Sequence, residues 1–313
     1  PTRTGALAAS PAPPFLREIG PDFTGLLTGD CGAFGFKTRL ALALEPLPGA
    51  ELALSFSFDA ADAMLAAMGA LARDGLVAQQ VGFDPVLASL RTRRQSLAED
   101  FRTLTGVLRG ARSLARGLKD ATGIVAAGRG FLEQAAFLLH AMCEGRSERG
   151  AREDADAVRA VVARHGGREI EPTIPTVMLG TPFPPLNGVV GPAGERWLPV
   201  HGLLPAANAA DAYAAIHALF AARADALAAH GIGSGTLFST VGPGAVLMEP
   251  MFFWPDALDE LHREAMERRA WERVPSRPEA PAARAAVLEL RGAVVEALAP
   301  FGAAHLQLGR TYP

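Results

Sequence analysis

Cysteine is almost absent from this chain: Cys31 and Cys143 are the only two among 313 residues. They form no CxxC pair and lie far apart, which excludes the disulfide framework of a small secreted domain. A reducing compartment, the cytoplasm, is the expectation. Charge of one sign is lacking too, since the formal net charge is -3 and offers no global basis for nucleic-acid binding. Long apolar runs are also missing. Mean hydropathy is positive, yet Arg129 and Glu133 break the run from Ile124 to Met142, so no membrane span is expected. The first ten residues contain neither Met nor the apolar core of a signal peptide. They read as a loop entered in mid-protein, and the chain stops just after the strand-like run at Leu306. Truncation at both ends is therefore expected.

What is present is a globular composition, 49% hydrophobic and 20% charged, in a chain long enough for one large domain or two ordinary ones. After a Pro-rich lead, the glycine-rich segment Gly25 to Phe36 runs into Lys37 to Glu45, where Leu40, Leu42 and Leu44 alternate as in a strand. Pro46 and Pro48 end it, and the texture then changes. This places a domain boundary at about residue 50, giving domains 1–50 and 51–313.

The second domain reads as strand-helix-strand units. Strands are expected at Leu52 to Phe58, Val77 to Phe83, Ala135 to Cys143, Arg168 to Glu171, Trp197 to Gly202, Gly235 to Val241, Ala245 to Trp254 and Ala303 to Leu308. Helices are expected at Ala60 to Arg73 with Asp59 as N-cap, Pro85 to Asp120, Ala151 to Arg164, Ala209 to Ala229, Asp256 to Arg269 and Pro281 to Leu298. Pro172 to Pro192 is too turn-dense for regular structure. This order implies an α+β class: a ferredoxin-like (split βαβ) antiparallel sheet with helices on one face, the other face left to close over a ligand.

The glycines at 29, 32 and 35 fail the GxGxxG spacing, and Phe36 separates Gly35 from Lys37, which also rules out a Walker A loop. Both of those motifs present phosphate to a helix N-terminus, whereas this loop leads into strand-like sequence. Glycine lets bare backbone approach a ligand; the same spacing also suits a tight structural turn.

Asp22 to Leu26 and Gly29 to Gly35, followed by a run ending in Leu47-Pro48, resemble the close of the flavin domain in FAD-linked oxidases of the vanillyl-alcohol-oxidase/p-cresol methylhydroxylase superfamily, in the glycolate oxidase and D-lactate dehydrogenase branch. The departures are Asp30-Cys31 in place of serine-glutamate, and Lys37 and Arg39 in the following run. The resemblance implies the end of a PCMH-type FAD-binding domain followed by a substrate-binding cap domain. It further implies FAD as cofactor, beside Gly29, Asp30, Gly32, Gly35, Phe36 and Thr38 and chiefly through backbone, with the main pyrophosphate-binding segment preceding this chain. Gly309-Arg-Thr-Tyr-Pro resembles a run near that family's C-terminus.

Flavin chemistry requires side chains that orient substrate, hold its anionic group and remove a proton. His201, beside Gly202, is the candidate base, with a hydrogen-bonded core histidine as the other reading. Glu249 is a carboxylate inside an apolar strand and must meet a cation, a metal or a proton donor, in a functional or a structural pair. Arg310 and Tyr312 are candidates for an anion clamp. Phe252, Phe253 and Trp254 suit a pocket wall or a core. No metal is expected: the His-x-Gly-Asp-Gly-Asn-x-x-His run of some relatives is absent, and the other histidines lack HExxH spacing. Ser234 is no nucleophile elbow, because Ile232 stands where GxSxG needs glycine.

The basic stretch from Arg91 to Lys119 reads as a solvated helical face, or as a surface docking an acidic redox partner or an anionic membrane, so a cytoplasmic protein peripheral to a membrane is a second localisation reading. The function expected is FAD-dependent oxidation of a CH–OH group, foremost in a D-2-hydroxy acid such as D-lactate or glycolate. An alcohol or phenol is the alternative within flavin chemistry, and a non-catalytic ferredoxin-like binding module the alternative outside it. The partners implied are a small hydroxy-acid or alcohol substrate and an electron acceptor, whether quinone, cytochrome or oxygen; a homo-oligomer is left open.

Overall fold

The computed structural model describes residues 22–28, 30, 33–40, 42, 44–93, 137–172, 174–176 and 185–305. The chain divides into two compact units, Pro1–Leu47 with His305–Pro313, and Pro48–Ala304. In the first, α1 (Phe23–Thr28) starts where the Asp22 carboxylate accepts the Gly25 N–H at 2.7 Å, an N-cap bond. Asp30 is buried; its carboxylate accepts the Phe34 N–H at 3.2 Å and pairs with Lys37. The strand expected over Lys37 to Glu45 is not found among the described residues: of 33–40, 42 and 44–48 none lies in a strand, and Leu40, Leu42, Leu44 and Leu47 are exposed. Alternating leucines supply an apolar side, but a strand also needs a neighbour for its backbone groups.

The second unit carries an eight-stranded sheet. Its strands are β1 (Ala50–Phe58), β2 (Gln79–Phe83), β3 (Phe137–Gly145), β4 (Arg168–Ile170), β5 (Arg196–Pro199), β6 (Gly202–Pro205), β7 (Gly233–Val241) and β8 (Ala245–Trp254). They lie in the order β4-β1-β3-β2-β7-β8-β5, with β6 also on β8, and every pairing is antiparallel. Order β4-β1-β3-β2 is one split βαβ unit. Ala304 bridges Leu203, so the second half repeats it: Ala304, then β6, then β8, then β7. Two βαββαβ halves thus share one sheet, joined where β2 meets β7 over Val81 to Phe83.

One face is covered by α2 (Ala61–Arg73), α4 (Glu148–Arg164), α5 (Ala209–Ala222) and α9 (Pro281–Leu298). Their apolar stripes are buried there, as in Val287, Leu290, Val294 and Leu298 of α9, the spacing of a helix that buries one side. Phe56, Phe58, Leu139, Phe238 and Phe252 answer from the sheet, and Phe252 meets Phe220 of α5 edge-on at 5.5 Å. A Cβ at Gly82 would fit only tightly, because the ends of the Met64 and Met68 side chains of α2 lie 3.0 to 3.2 Å from where it would stand. The helix α3 (Pro85–Arg93) crosses to the opposite face, where Leu87 and Ala88 pack with Phe83, Leu138, Met251 and Phe253. The helical cover is therefore concentrated on one face rather than confined to it.

Several boundaries differ from the sequence expectation for local reasons. Asp59 does not cap α2, whose cap is Ala60 without a side-chain bond; the carboxylate instead forks onto Arg168, accepting Nη1 at 3.0 Å. The helix expected over Ala209 to Ala229 breaks at Arg223, whose N–H turns back to Phe220 O, and resumes as α6 (Ala224–Ala229). The helix expected from Asp256 starts late, as α7 (Glu260–Ala265) and α8 (Arg268–Trp271), because Asp256 is held elsewhere. Its buried carboxylate accepts the Trp254 indole N–H (3.0 Å), the Ala257 and Ala280 N–H groups (2.7 and 2.8 Å) and Arg284 Nη2 (2.9 Å). This clasp ties the end of β8 to the start of α9. The last expected strand reaches the described chain only as the bridge at Ala304, and the helix expected beyond residue 93 lies outside the described residues.

Two buried carboxylates respond oppositely to pH. Burial opposes ionisation of Asp256, but the Arg284 guanidinium and the donors around it outweigh that and hold the group at about 2, below its ordinary 3.8. Its contribution is present above pH 4 and lost as pH falls towards 2. Asp256→Ala leaves those donors without an acceptor and should cost roughly 2 kcal/mol at pH 7 by urea unfolding. Asp84 is the reverse case. Burial raises it from 3.8 to about 6, against the Leu87 and Thr236 N–H bonds that favour the anion. Stability referable to Asp84 should therefore fall as pH rises from about 4 to about 6. The slope of the urea midpoint over that window should flatten in Asp84→Asn.

Candidate functional site

The prolines of β5, β6 and β8 decide where His201 sits. Pro250 has no N–H to donate, so the ladder between β8 and its edge partner is interrupted, although Val200 N–H still reaches Pro250 O at 2.8 Å. Pro199 pairs with Met251 and Gly202 with Met248, so one unshifted register runs through the gap. It sets His201 directly across from Glu249, one step from the bonded Val200–Pro250 position and hence at the closely spaced kind of pair. The side chains meet: His201 Nε2 lies 2.8 Å from Glu249 Oε2. Two residues singled out separately in the sequence, 48 positions apart, are a cross-strand pair.

The pair lies on the face away from α9, since the neighbouring Gly202 points at Leu298 of that helix. Along the sheet, Leu138, Phe83, Leu237 and Glu249 are successive cross-strand partners, so the pair ends an apolar row. The adjacent row carries Ser55 and His140, joined at 2.8 Å, and Ser239. The Glu249 side chain is 12% exposed and that of His201 22%; Nδ1 of the imidazole is buried, so what the pair can offer a small molecule is the edge where Nε2 meets Glu249. Phe252 and Trp254 face α5 and the Asp256 clasp and are core, as their burial requires.

The remaining sequence candidates divide by location. Gly35, Phe36 and Thr38 are described and exposed, and among the described residues no atom lies within 4 Å of where a Gly35 Cβ would stand. Asp30 faces inward to Lys37 and the Phe34 N–H. Gly29, Gly32, Arg310 and Tyr312 lie outside the described residues. Among the described residues, no group of three or more His, Cys, Asp and Glu side chains could hold a metal ion, and no helix is long and apolar enough to cross a membrane. Cys143 is a buried free thiol that burial pushes up to about 11, which keeps it unreactive.

Sequence reasoning passed over a pocket of about 820 Å³ on the helix-covered face. Asp84, at the end of β2, lines it with Tyr213, His217 and Phe220 of α5, Phe137 and Thr236. The Asp84 carboxylate accepts the Leu87 N–H with Oδ1 and the Thr236 N–H with Oδ2, both at 2.8 Å. The legible signals were Asp84 immediately before Pro85, a helix-start pattern, and the one-turn spacing of Tyr213 and His217.

No family model matches the chain, and no curated protein does. Solved structures do match in fold. p-Cresol methylhydroxylase with substrate bound superposes with a TM-score of 0.60 at 14% identity, over 98% of this chain and 54% of that one. 4-Ethylphenol oxidase from Gulosibacter chungangensis gives 0.56 at 14% identity, over 97% and 54%, and alkyldihydroxyacetonephosphate synthase 0.53 at 9%, over 83% and 41%. This chain thus spans about half or less of the structures it resembles, and it has the mixed helix and antiparallel-sheet fold of the corresponding part of p-cresol methylhydroxylase.

Proposed function

We propose that the chain is part of an FAD-dependent oxidoreductase that oxidises a hydroxyl-bearing small molecule, with His201 and Glu249 managing the hydroxyl proton. The observation that carries this reading is the pair itself: a base and a carboxylate in hydrogen-bond contact, partly open, on the sheet face that most of the helices leave. The flavin part is supported by the pattern over residues 22–48 and by the likeness in fold to p-cresol methylhydroxylase and 4-ethylphenol oxidase. The residues present fit such a group. Gly35 offers bare backbone that no other described residue crowds, and the Phe36 ring is exposed. Gly29, Gly32, Gly35, Phe36 and Thr38 would contact FAD, chiefly by backbone, and Asp30 would shape the loop from within. Bound FAD supplies the acceptor for the hydride and hence for two electrons.

The chain's own task is the proton. The pair takes it from the substrate hydroxyl at the edge where His201 Nε2 meets Glu249 Oε2, because Nδ1 is buried; the carboxylate orients the ring and shares the charge of the proton with it. A neutral alcohol or phenol is the first reading of the substrate, because Glu249 already places a carboxylate beside the base and two of the structures similar in fold are named for phenols. A D-2-hydroxy acid is the second, supported by Arg310 and Tyr312 as an anion clamp and by the glycine spacing. Quinone, cytochrome and oxygen remain the acceptor classes.

Purified full-length protein should show a visible flavin band, whose absence together with no FAD uptake would favour a non-catalytic binding module. Anaerobic mixing with a 4-alkylphenol, benzyl alcohol, D-lactate and glycolate should bleach that band with at least one of them, faster with the neutral substrates; no bleaching by any removes the proposal. His201→Gln and Glu249→Gln should each slow flavin reduction by about a hundredfold at unchanged flavin content. The double variant should be little slower than either single one, because the two side chains act as a unit.

A further inference from the structure

The pocket beside α5 lies on the opposite face of the sheet from His201 and Glu249, and the oxidation proposed above makes no use of it. Its lining is chemically one-sided. It holds two carboxylates, Asp59 and Asp84, the rings of Phe137, Tyr213 and Phe220, a single imidazole, His217, and neither lysine nor arginine. Asp59 at the rim is already forked onto Arg168. Asp84 is different: it is buried, and the hydrogen bonds it receives come from neutral donors, the Leu87 and Thr236 N–H groups, while the one basic side chain of the lining, His217, attracts its charge without a hydrogen bond to it. Burial, and then the Asp84 carboxylate, hold the Tyr213 phenol well above its ordinary range, so it stays protonated and adds no charge. The pocket is therefore an aromatic-walled recess with an anion at its base, and its volume suits a small molecule.

We propose that this recess is a second binding site, which takes a small organic amine with an apolar body. The ammonium group meets Asp84 in a charge-assisted hydrogen bond, and the aromatic faces hold both the cation and the hydrocarbon. An anionic ligand is disfavoured by the carboxylates. A neutral ligand of the same shape obtains the apolar contacts but leaves the buried carboxylate uncompensated.

The test is isothermal titration of the full-length protein at pH 7.5 with phenethylamine, its neutral isostere propylbenzene, and 3-phenylpropionate, with thermal unfolding as a second readout. Phenethylamine should bind and raise the unfolding temperature, about tenfold more tightly than propylbenzene, while phenylpropionate should not bind. Asp84→Asn should abolish the preference for the amine. Because Asp84 also caps α3, Ala218→Trp serves as an independent variant: Ala218 lines the recess from an exposed position on α5, so the indole fills the space without disturbing the core. It should remove amine binding and leave flavin reduction unchanged. Equal affinity for the amine and its neutral isostere, no amine binding at all, or undiminished amine binding in Ala218→Trp would each overturn the proposal. None of these readouts depends on flavin, so its failure is distinct from a failure of the redox reading.

Discussion

The register of β8 is the constraint from which the rest of the second unit follows. Its ten residues pair with β7 along one side and with β5 and β6 along the other, and their alternation sends Phe252 to the helices and Glu249 to the opposite face. A shift of one residue would exchange those faces, burying the carboxylate among the rings of α5 and exposing the aromatic core. Both edges resist that slip. The Asp256 clasp fixes the end of β8 through Trp254, and Pro250 marks the one point where the edge strand loses a bond. The closeness of His201 to Glu249 is thus a consequence of backbone pairing, fixed before any side chain chooses a rotamer.

Much of this was legible in the sequence because its signals are local. Runs such as Ala245 to Trp254 and stripes such as Ala283 to Leu298 carry their period in themselves, and the split βαβ order followed from their succession. What was not legible depends on partners distant in sequence. Lys37 to Glu45 has the alternation of a strand but no neighbour among the described residues, and alternation cannot report a missing neighbour. Asp59 looked like a cap until Arg168, 109 residues away, proved the stronger attraction. Asp256 suppresses the first turn of an expected helix by gathering donors from Trp254, Ala280 and Arg284.

The candidate site divides along the same line. His201 and Glu249 were each conspicuous, one as a histidine beside a glycine and the other as a charge in an apolar strand, but their adjacency required a register that no single segment encodes. Asp84 was hidden by looking ordinary. An aspartate before a proline is a common way to begin a helix, and its second role, accepting the Thr236 N–H 152 residues away, appears only when β2 and β7 are brought together.

That junction is short. The two βαββαβ halves pair over only three residues, Val81 to Phe83 against Leu237 to Ser239, with the Asp84 carboxylate fastened across the end of the seam. So narrow a ladder is backed by packing across it on both faces, Leu87 and Leu138 of one half against Met251 and Phe253 of the other on one side and Phe137 against Tyr213 on the other. A change of side-chain volume at Leu87 or Leu138 is therefore felt by Met251 and Phe253 in the other half, and the repeated topology behaves as one core rather than two.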